Sequence, residues 1–219
     1  MKIHFAEIFE SMQGEGSQAG TPALFMRLSG CNLWSGDFED RESGRGECAM
    51  WCDTDFRRKF AMSVEQIKTR IGMYADLCMN PLIIFTGGEP MLQLPRIEWE
   101  LRNLLEEGVR VSAETNGTIS CSVADMLVEH PLGHLVCSPK RLAGSSTYEN
   151  IKLRRTNDLK LIHPHHDLGR ITMKYDHLFI QPLAGQDDHG KHWLDASIEC
   201  AKKHGARLSI QQHKFLGLR

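Results

Sequence analysis

Short apolar runs rich in β-branched and aromatic residues recur along this chain. Each closes on a polar or glycine-containing signature before a helical pattern or a loop begins. Ile3–Phe9, Ala23–Leu28, Leu82–Phe85, Val109–Ala113, Leu135–Cys137, Asp158–Ile162, His177–Leu183 and Arg207–Gln211 read as strands. Between them, Ser63 caps a helix, with Met62 and Ile67 spaced as a hydrophobic staple. Arg96–Gly108 carries Leu101, Leu104 and Leu105 on one face and ends on a glycine. Val123–Glu129 and Lys191–His204 read as two further helices. Strand, loop and helix in repetition predict an α/β fold with a mostly parallel sheet, helices outside it and a site at the strands' C-terminal ends. A chain of 219 residues holds about six βα units, so the barrel is expected to be incomplete, partial and TIM-like, rather than eightfold. One domain over 1–219 is expected, since no repeat, low-complexity stretch or linker divides the chain.

Composition narrows the function classes. A formal net charge of −2 and a pI near 6.6 give no basic excess for general nucleic-acid binding. No apolar run reaches the roughly 20 residues of a membrane span, and Met1-Lys2-Ile3-His4 opens no secretory signal. Seven cysteines, an odd number, fit a reduced cytoplasmic protein whose thiols serve as ligands or core residues.

Three of those cysteines, Cys31, Cys48 and Cys52, fall in one loop directly after the run Ala23–Leu28. Thiolates suit iron–sulfur clusters and zinc, and three protein ligands leave one metal position open. The loop is enlarged: sixteen residues separate Cys31 from Cys48, and three separate Cys48 from Cys52. Its polar insert, Ser35–Glu47, is expected to be exposed. Cys78, Cys121, Cys137 and Cys200 lack ligand spacing and read as core.

Other signatures follow the strands. Leu82–Phe85 ends in Thr86-Gly87-Gly88-Glu89-Pro90, where glycines can open backbone groups to a ligand and Glu89 offers a carboxylate to an ammonium. Ser11–Ser17 places Gln13 and Glu15 around glycines, either as a surface turn or as a ligand-facing loop. Arg27 interrupts an apolar run, either salt-bridged or as an anion site. His163, His165 and His166, with Asp167 beside them, read as a solvated loop rather than metal ligands.

Taken in order, Gln13-Gly14-Glu15-Gly16, Arg27-Leu28-Ser29-Gly30-Cys31-Asn32-Leu33, Trp51-Cys52-Asp53-Thr54, Thr86–Pro90, Glu114-Thr115-Asn116-Gly117, Ser138-Pro139-Lys140, Gln181-Pro182 and His213-Lys214 resemble the radical S-adenosylmethionine enzymes of the 7-carboxy-7-deazaguanine synthase family over nearly the full length. The resemblance implies conversion of 6-carboxy-5,6,7,8-tetrahydropterin to 7-carboxy-7-deazaguanine with loss of ammonia, on the route to queuosine and other 7-deazapurines. It implies a [4Fe–4S] cluster on Cys31, Cys48 and Cys52, S-adenosylmethionine as a reusable cofactor, and Mg²⁺ on Thr54. By the same resemblance Gly87, Gly88, Glu89, Glu114, Asn116, Ser138, Lys140 and Gln181 serve S-adenosylmethionine. Gln13, Glu15, Arg27 and His213 meet the pterin, with no side chain itself carrying the radical. A homodimer and an electron donor such as a flavodoxin or ferredoxin are implied too.

The competing readings are an activase that makes a glycyl radical on a partner protein, a structural zinc module, and a non-catalytic regulatory binding protein on the same fold. The Gln13–Gly16 motif and the Lys214-Phe215 terminus speak against the activase. The absence of a fourth local ligand speaks against zinc. The intact cysteines and Gly-Gly-Glu-Pro turn speak against a binding protein.

Overall fold

The structure, a computed structural model, describes residues 1–37, 39–40, 46–48, 52, 54–165, 170–184 and 191–218. Its strands are β1 (Lys2–Met12), β2 (Pro22–Leu28), β3 (Phe60–Ser63), β4 (Leu82–Gly87), β5 (Arg110–Thr115), β6 (Gly133–Cys137), β7 (Arg155–His163), β8 (Lys174–Pro182) and β9 (Arg207–Leu208). They form a nine-stranded sheet in the order β3-β1-β2-β4-β5-β6-β7-β8-β9. The pairings from β2 through β9 are parallel. The sheet is mixed because β1 runs antiparallel to both β2 and β3.

The helices are α1 (Val64–Ala75), α2 (Glu98–Glu106), α3 (Ser122–Glu129), α4 (Lys191–His204) and α5 (Gln212–Phe215). The expected alternation therefore holds at α1, α2, α3 and α4. It lapses at β6–β7 and β7–β8, which connect without a helix among the described residues. The last strand is shorter than expected. Ser209 still donates to Ile180 O (2.9 Å), but the chain then turns away and Gln212 N–H donates to Gly14 O (3.0 Å).

Alternation along the strands separates two faces. Leu24, Met26 and Leu28 of β2, Ile83 and Phe85 of β4 and their equivalents on β5–β8 join the main core. The apolar stripes of the helices cover them: Ile67 and Ile71 of α1, Leu101 and Leu104 of α2, Val123 and Leu127 of α3. The opposite face is smaller and divided. Ala23, Phe25, Leu82 and Ile84 pack with Phe9 near the strand N-termini, and the Phe9 and Phe25 rings stack at 5.0 Å. Two residues further along, the same face carries Arg27 and Thr86, and on the neighbouring strands Glu114, Lys160 and Gln181. The sequence thus floors this face with hydrocarbon and lines its C-terminal end with polar groups.

Local chemistry fixes the element ends. Ser63 accepts from Gln66 N–H (3.3 Å) and Gln66 Oε1 accepts from Ser63 N–H (2.8 Å), a reciprocal capping box at the start of α1. Gly108, at φ +87°, ends α2 by donating to Leu105 O. Ser63→Ala is expected to cost about 1 kcal/mol without changing iron binding, as read by urea denaturation and an iron assay.

Candidate active site

The cysteine loop leaves β2 through Ser29, whose N–H donates to His4 O at 3.0 Å. The side-chain amide of buried Gln93 donates to both Ser29 O (2.9 Å) and His4 O (3.1 Å), and its oxygen accepts from His4 N–H (2.9 Å). The far limb of the loop returns because Glu47 and Cys48 both donate N–H to Leu33 O, at 2.9 and 3.1 Å. Cys48 also bridges to Leu142. Trp34 packs edge-on against buried Phe56 at 5.5 Å. Cys52 lies 4.0 Å from Thr54 O. Trp51 and Asp53 of the expected motif, with residues 38 and 41–45 of the insert, lie outside the described residues.

The β4 turn docks on this loop backbone to backbone. Gly87 holds φ +137°, and a Cβ there would sit 2.0 Å from Leu28 O; a Cβ on Gly88 would sit 2.0 Å from Gly30 O. Gly88 N–H donates to Leu28 O (3.3 Å) and Glu89 N–H to Gly30 O (2.8 Å). The contacts seen at the two glycines are thus to the cysteine loop, where the sequence reading had them opening backbone to a ligand. Only residues without a side chain allow this approach.

Glu89 likewise faces inward. Its carboxylate is fully buried and accepts from Met91 N–H (2.9 Å), Thr115 Oγ1 (2.8 Å) and Asn116 N–H (2.7 Å). Burial pushes its carboxyl up to about 7, against the pull of those donors. It ties the β4 turn to the β5 turn, whose Asn116 in turn donates to Asn32 Oδ1 (3.1 Å) and reaches Cys31 Sγ at 3.9 Å. The β6 turn joins through Ser138 N–H to Thr115 O (2.9 Å) and Lys140 N–H to Asn116 O (3.2 Å). The Lys140 ammonium folds onto Ser138 Oγ at 2.8 Å. Burial lowers its pKa, and the charges of Cys48 and Cys52 oppose that. Burial raises the Cys31 thiol.

The cysteines, Asn116 and Lys140 therefore gather at one end of the sheet. Among the described residues no three His, Cys, Asp or Glu side chains form a ready-made cage for a single metal ion.

On the concave face beside them, the β1–β2 loop folds inward. Buried Gln13 donates to Glu114 Oε1 (3.0 Å), and Thr86 Oγ1 donates to Glu114 Oε2 (2.9 Å). Glu15 pairs with Lys160 and accepts from Gln211 Nε2 at 2.7 Å. Burial alone would raise the Glu15 carboxyl, but the charge and hydrogen bond of Lys160 hold it well below the usual range. Gly14 lies against His213: a Cβ there would meet the imidazole Nδ1 at 2.2 Å. Burial lowers the His213 pKa, with Glu15 opposing, which favours a neutral ring. Arg27 Nε donates to Glu7 (2.7 Å), and its guanidinium lies 5.8 Å from the Phe9 ring centre. Gln181, also buried, accepts from Ser209 Oγ at 3.1 Å.

Lys160, Asp158, Gln211 and Gln93 were not singled out in the sequence. Asp158-Leu159-Lys160-Leu161 carries a signal for two of them: two charges at alternate positions of an otherwise apolar strand must share one face. The histidine loop plays no part in the site among the described residues. His165 O accepts from Arg141, and the His163 ring meets Trp193 edge-on at 6.1 Å. His166 and Asp167 lie outside the described residues.

Two outcomes are expected. Gly88→Ala forces the β4 turn off the cysteine loop, costing about 1–3 kcal/mol and most of the iron bound on anaerobic reconstitution, read by iron analysis and denaturation. For Glu89, the folded carboxyl at about 7 keeps a proton that the unfolded one, at 4.5, has lost. Stability of the iron-free protein therefore falls as pH rises from 4.5 to about 7, by on the order of 3 kcal/mol in full. Denaturation of Glu89→Gln across that range is expected to lose this slope.

Comparisons with known proteins identify the family. The Radical SAM superfamily model matches residues 39–151. Over their full lengths, the chain is 34% identical to 7-carboxy-7-deazaguanine synthase of Bordetella pertussis and 32% identical to that of Nitratidesulfovibrio vulgaris. It is 31% identical to the Methanospirillum hungatei protein of that name, across 100% of this chain and 86% of that one. The crystal structure of QueE from Escherichia coli shares the fold, with a TM-score of 0.64 and 24% identity over 96% of this chain and 94% of that one. The chain belongs to the 7-carboxy-7-deazaguanine synthase family of the radical SAM superfamily.

Proposed function

We propose that the protein converts 6-carboxy-5,6,7,8-tetrahydropterin to 7-carboxy-7-deazaguanine and ammonia, in the biosynthesis of queuosine and related 7-deazapurines. The observation that carries this reading is the concave face itself. Within it an Arg27 fork, an ionised Glu15 and the Gln13–Glu114 pair stand beside the end of the sheet that holds the three cysteines. A carboxylated pterin needs a guanidinium at one end and acceptors for its pyrimidine N–H groups at the other.

Cys31, Cys48 and Cys52 would hold the [4Fe–4S] cluster, leaving one iron for the amino and carboxylate groups of S-adenosylmethionine. Reduction of that pair supplies the radical chemistry, and the protein supplies binding and orientation. The overall conversion loses ammonia without net oxidation, consistent with a cofactor that is regenerated. Glu114, Asn116, Ser138, Lys140 and Gln181 line the neighbouring pocket in this reading. Gly87, Gly88 and Glu89 serve it by fixing the turn that meets the cysteine loop. Arg27 keeps its terminal nitrogens for the substrate carboxylate while Glu7 holds Nε. Gln13 and Glu15 accept from the pyrimidine edge. A neutral His213 offers one donor and one acceptor. Thr54, with substrate oxygens and water, would hold Mg²⁺.

The reading also takes the chain as one domain on an incomplete barrel of about six βα units. It takes the protein as a cytoplasmic homodimer reduced by a flavodoxin or ferredoxin. Among the described residues no helix is long and apolar enough to cross a membrane.

Anaerobic reconstitution followed by reduction and addition of S-adenosylmethionine, Mg²⁺ and the carboxytetrahydropterin is expected to yield 7-carboxy-7-deazaguanine by mass. Cys52→Ala should abolish it. Cluster assembly with cofactor cleavage but no deazaguanine would overturn the substrate assignment. Arg27→Lys loses the fork and is expected to raise KM by about ten- to a hundred-fold with iron content unchanged.

A further inference from the structure

Lys160 lies on β7 between Leu159 and Leu161, both in the main core, so its side chain enters the concave face. The residue is only 7% exposed. An ammonium so placed is costly unless paired. Among the described residues its partner is Glu15, on a loop more than a hundred residues away in sequence, with the Glu114 carboxylate also acting on it.

Gln13 Oε1 holds the Glu15 N–H (3.1 Å) within the loop, but the Glu15 carboxylate depends on outside support. The residue stands between Gly14 and Gly16 in a turn that has no side-chain cap of its own, and Gly16 holds φ +67°. The turn is moored from other elements. Asp158 accepts from Ser17 N–H (2.8 Å) and Oγ (2.7 Å), Ser209 Oγ accepts from Gly16 N–H (3.1 Å), and Gln211 donates to Glu15 (2.7 Å). Of these contacts, Lys160 brings the full positive charge to the carboxylate. Two partners do not exhaust the lone pairs of a carboxylate.

We propose that Lys160 is a positioning residue that sets specificity: by anchoring Glu15 it aims a carboxylate at the adjacent N3–H and 2-amino donors of a 2-amino-4-oxopyrimidine edge. The assignment rests on the pterin reading above and deepens it. A 2-oxo (lumazine-type) ring presents an acceptor where the pterin presents its amino donor, so the anchored carboxylate rejects it. Removing the anchor frees Glu15 to turn away and weakens that discrimination more than it weakens folding of the cluster loop.

The test compares wild type, Lys160→Met, Glu15→Gln and the double variant as reconstituted enzymes. Each is given 6-carboxytetrahydropterin as substrate and its 2-oxo analogue as competitor. Lys160→Met is expected to raise KM at least about tenfold with a smaller change in kcat, and to narrow pterin-over-lumazine selectivity by about a hundredfold. Iron content and cofactor cleavage should stay unchanged. The double variant should be no less selective than Glu15→Gln alone, because Lys160 acts through Glu15. It also removes both charges together, which keeps the test open if Lys160→Met alone does not fold. Wild-type selectivity retained in Lys160→Met overturns the assignment, as does an additive loss in the double variant. If the wild-type enzyme does not bind the pterin at all, the functional reading fails first and this one with it.

Discussion

The close approach of Gly88 to Gly30 is the contact on which the rest of the site depends. It brings the end of a central parallel strand against the start of the cysteine loop, with a clearance that no side chain could share. From there order spreads laterally. Glu89 reaches from the β4 turn to Thr115 and Asn116, Asn116 reaches back to Asn32 and Cys31, and the β6 turn hangs on Thr115 and Asn116 through its backbone. Three strand ends and the long cysteine loop thus behave as one assembly. A fully buried carboxylate raised to about 7 is the electrostatic cost of that arrangement. It is tolerated because each oxygen meets backbone or hydroxyl donors.

A second constraint is topological. The sheet begins with an antiparallel hairpin and ends with a two-residue strand, and the β1–β2 loop spans between them. It touches Glu114 of β5, Asp158 and Lys160 of β7, and the Ser209–His213 segment after β9. An open sheet with an inward polar face would otherwise expose charged side chains at its edge. The loop pairs them and covers the polar end of the face, beyond the Phe9–Phe25 cluster. The polar side chains of this face are therefore held by long-range contacts between strands and loop, which preorganises them.

Much of this was legible in the residues. Apolar runs located eight of the nine strands because burial selects β-branched and aromatic side chains; β3 (Phe60–Ser63), an edge strand of four residues with no fully buried side chain, carries no such run. The Ser63 cap was legible, and the structure adds Gln66 as its reciprocal partner. The ordered motifs after β2, β4, β5, β6 and β8 fall at the C-terminal ends of these parallel strands, as the pattern of strand followed by polar signature predicts. The sequence did not disclose that β1 is antiparallel, because pairing direction leaves no local mark on a strand's residues. It also did not disclose that β6–β7 and β7–β8 lack helices among the described residues. At Gly87 and Gly88 the described contacts are with the backbone of Leu28 and Gly30, and the Glu89 carboxylate meets Met91, Thr115 and Asn116: glycine serves close approach to a backbone as readily as to a ligand, and the residues alone do not tell the two apart. Lys160 was passed over as part of a strand, although its alternation with Asp158 already marked an inward-facing pair.

The most direct test of this account is a crystal structure of the anaerobic enzyme with S-adenosylmethionine and 6-carboxytetrahydropterin bound. The account requires the pterin on the concave face, its carboxylate on Arg27 and its pyrimidine edge on Glu15, with Lys160 still paired to that carboxylate. A pterin bound elsewhere, or one whose pyrimidine edge turns away from Glu15, would contradict it.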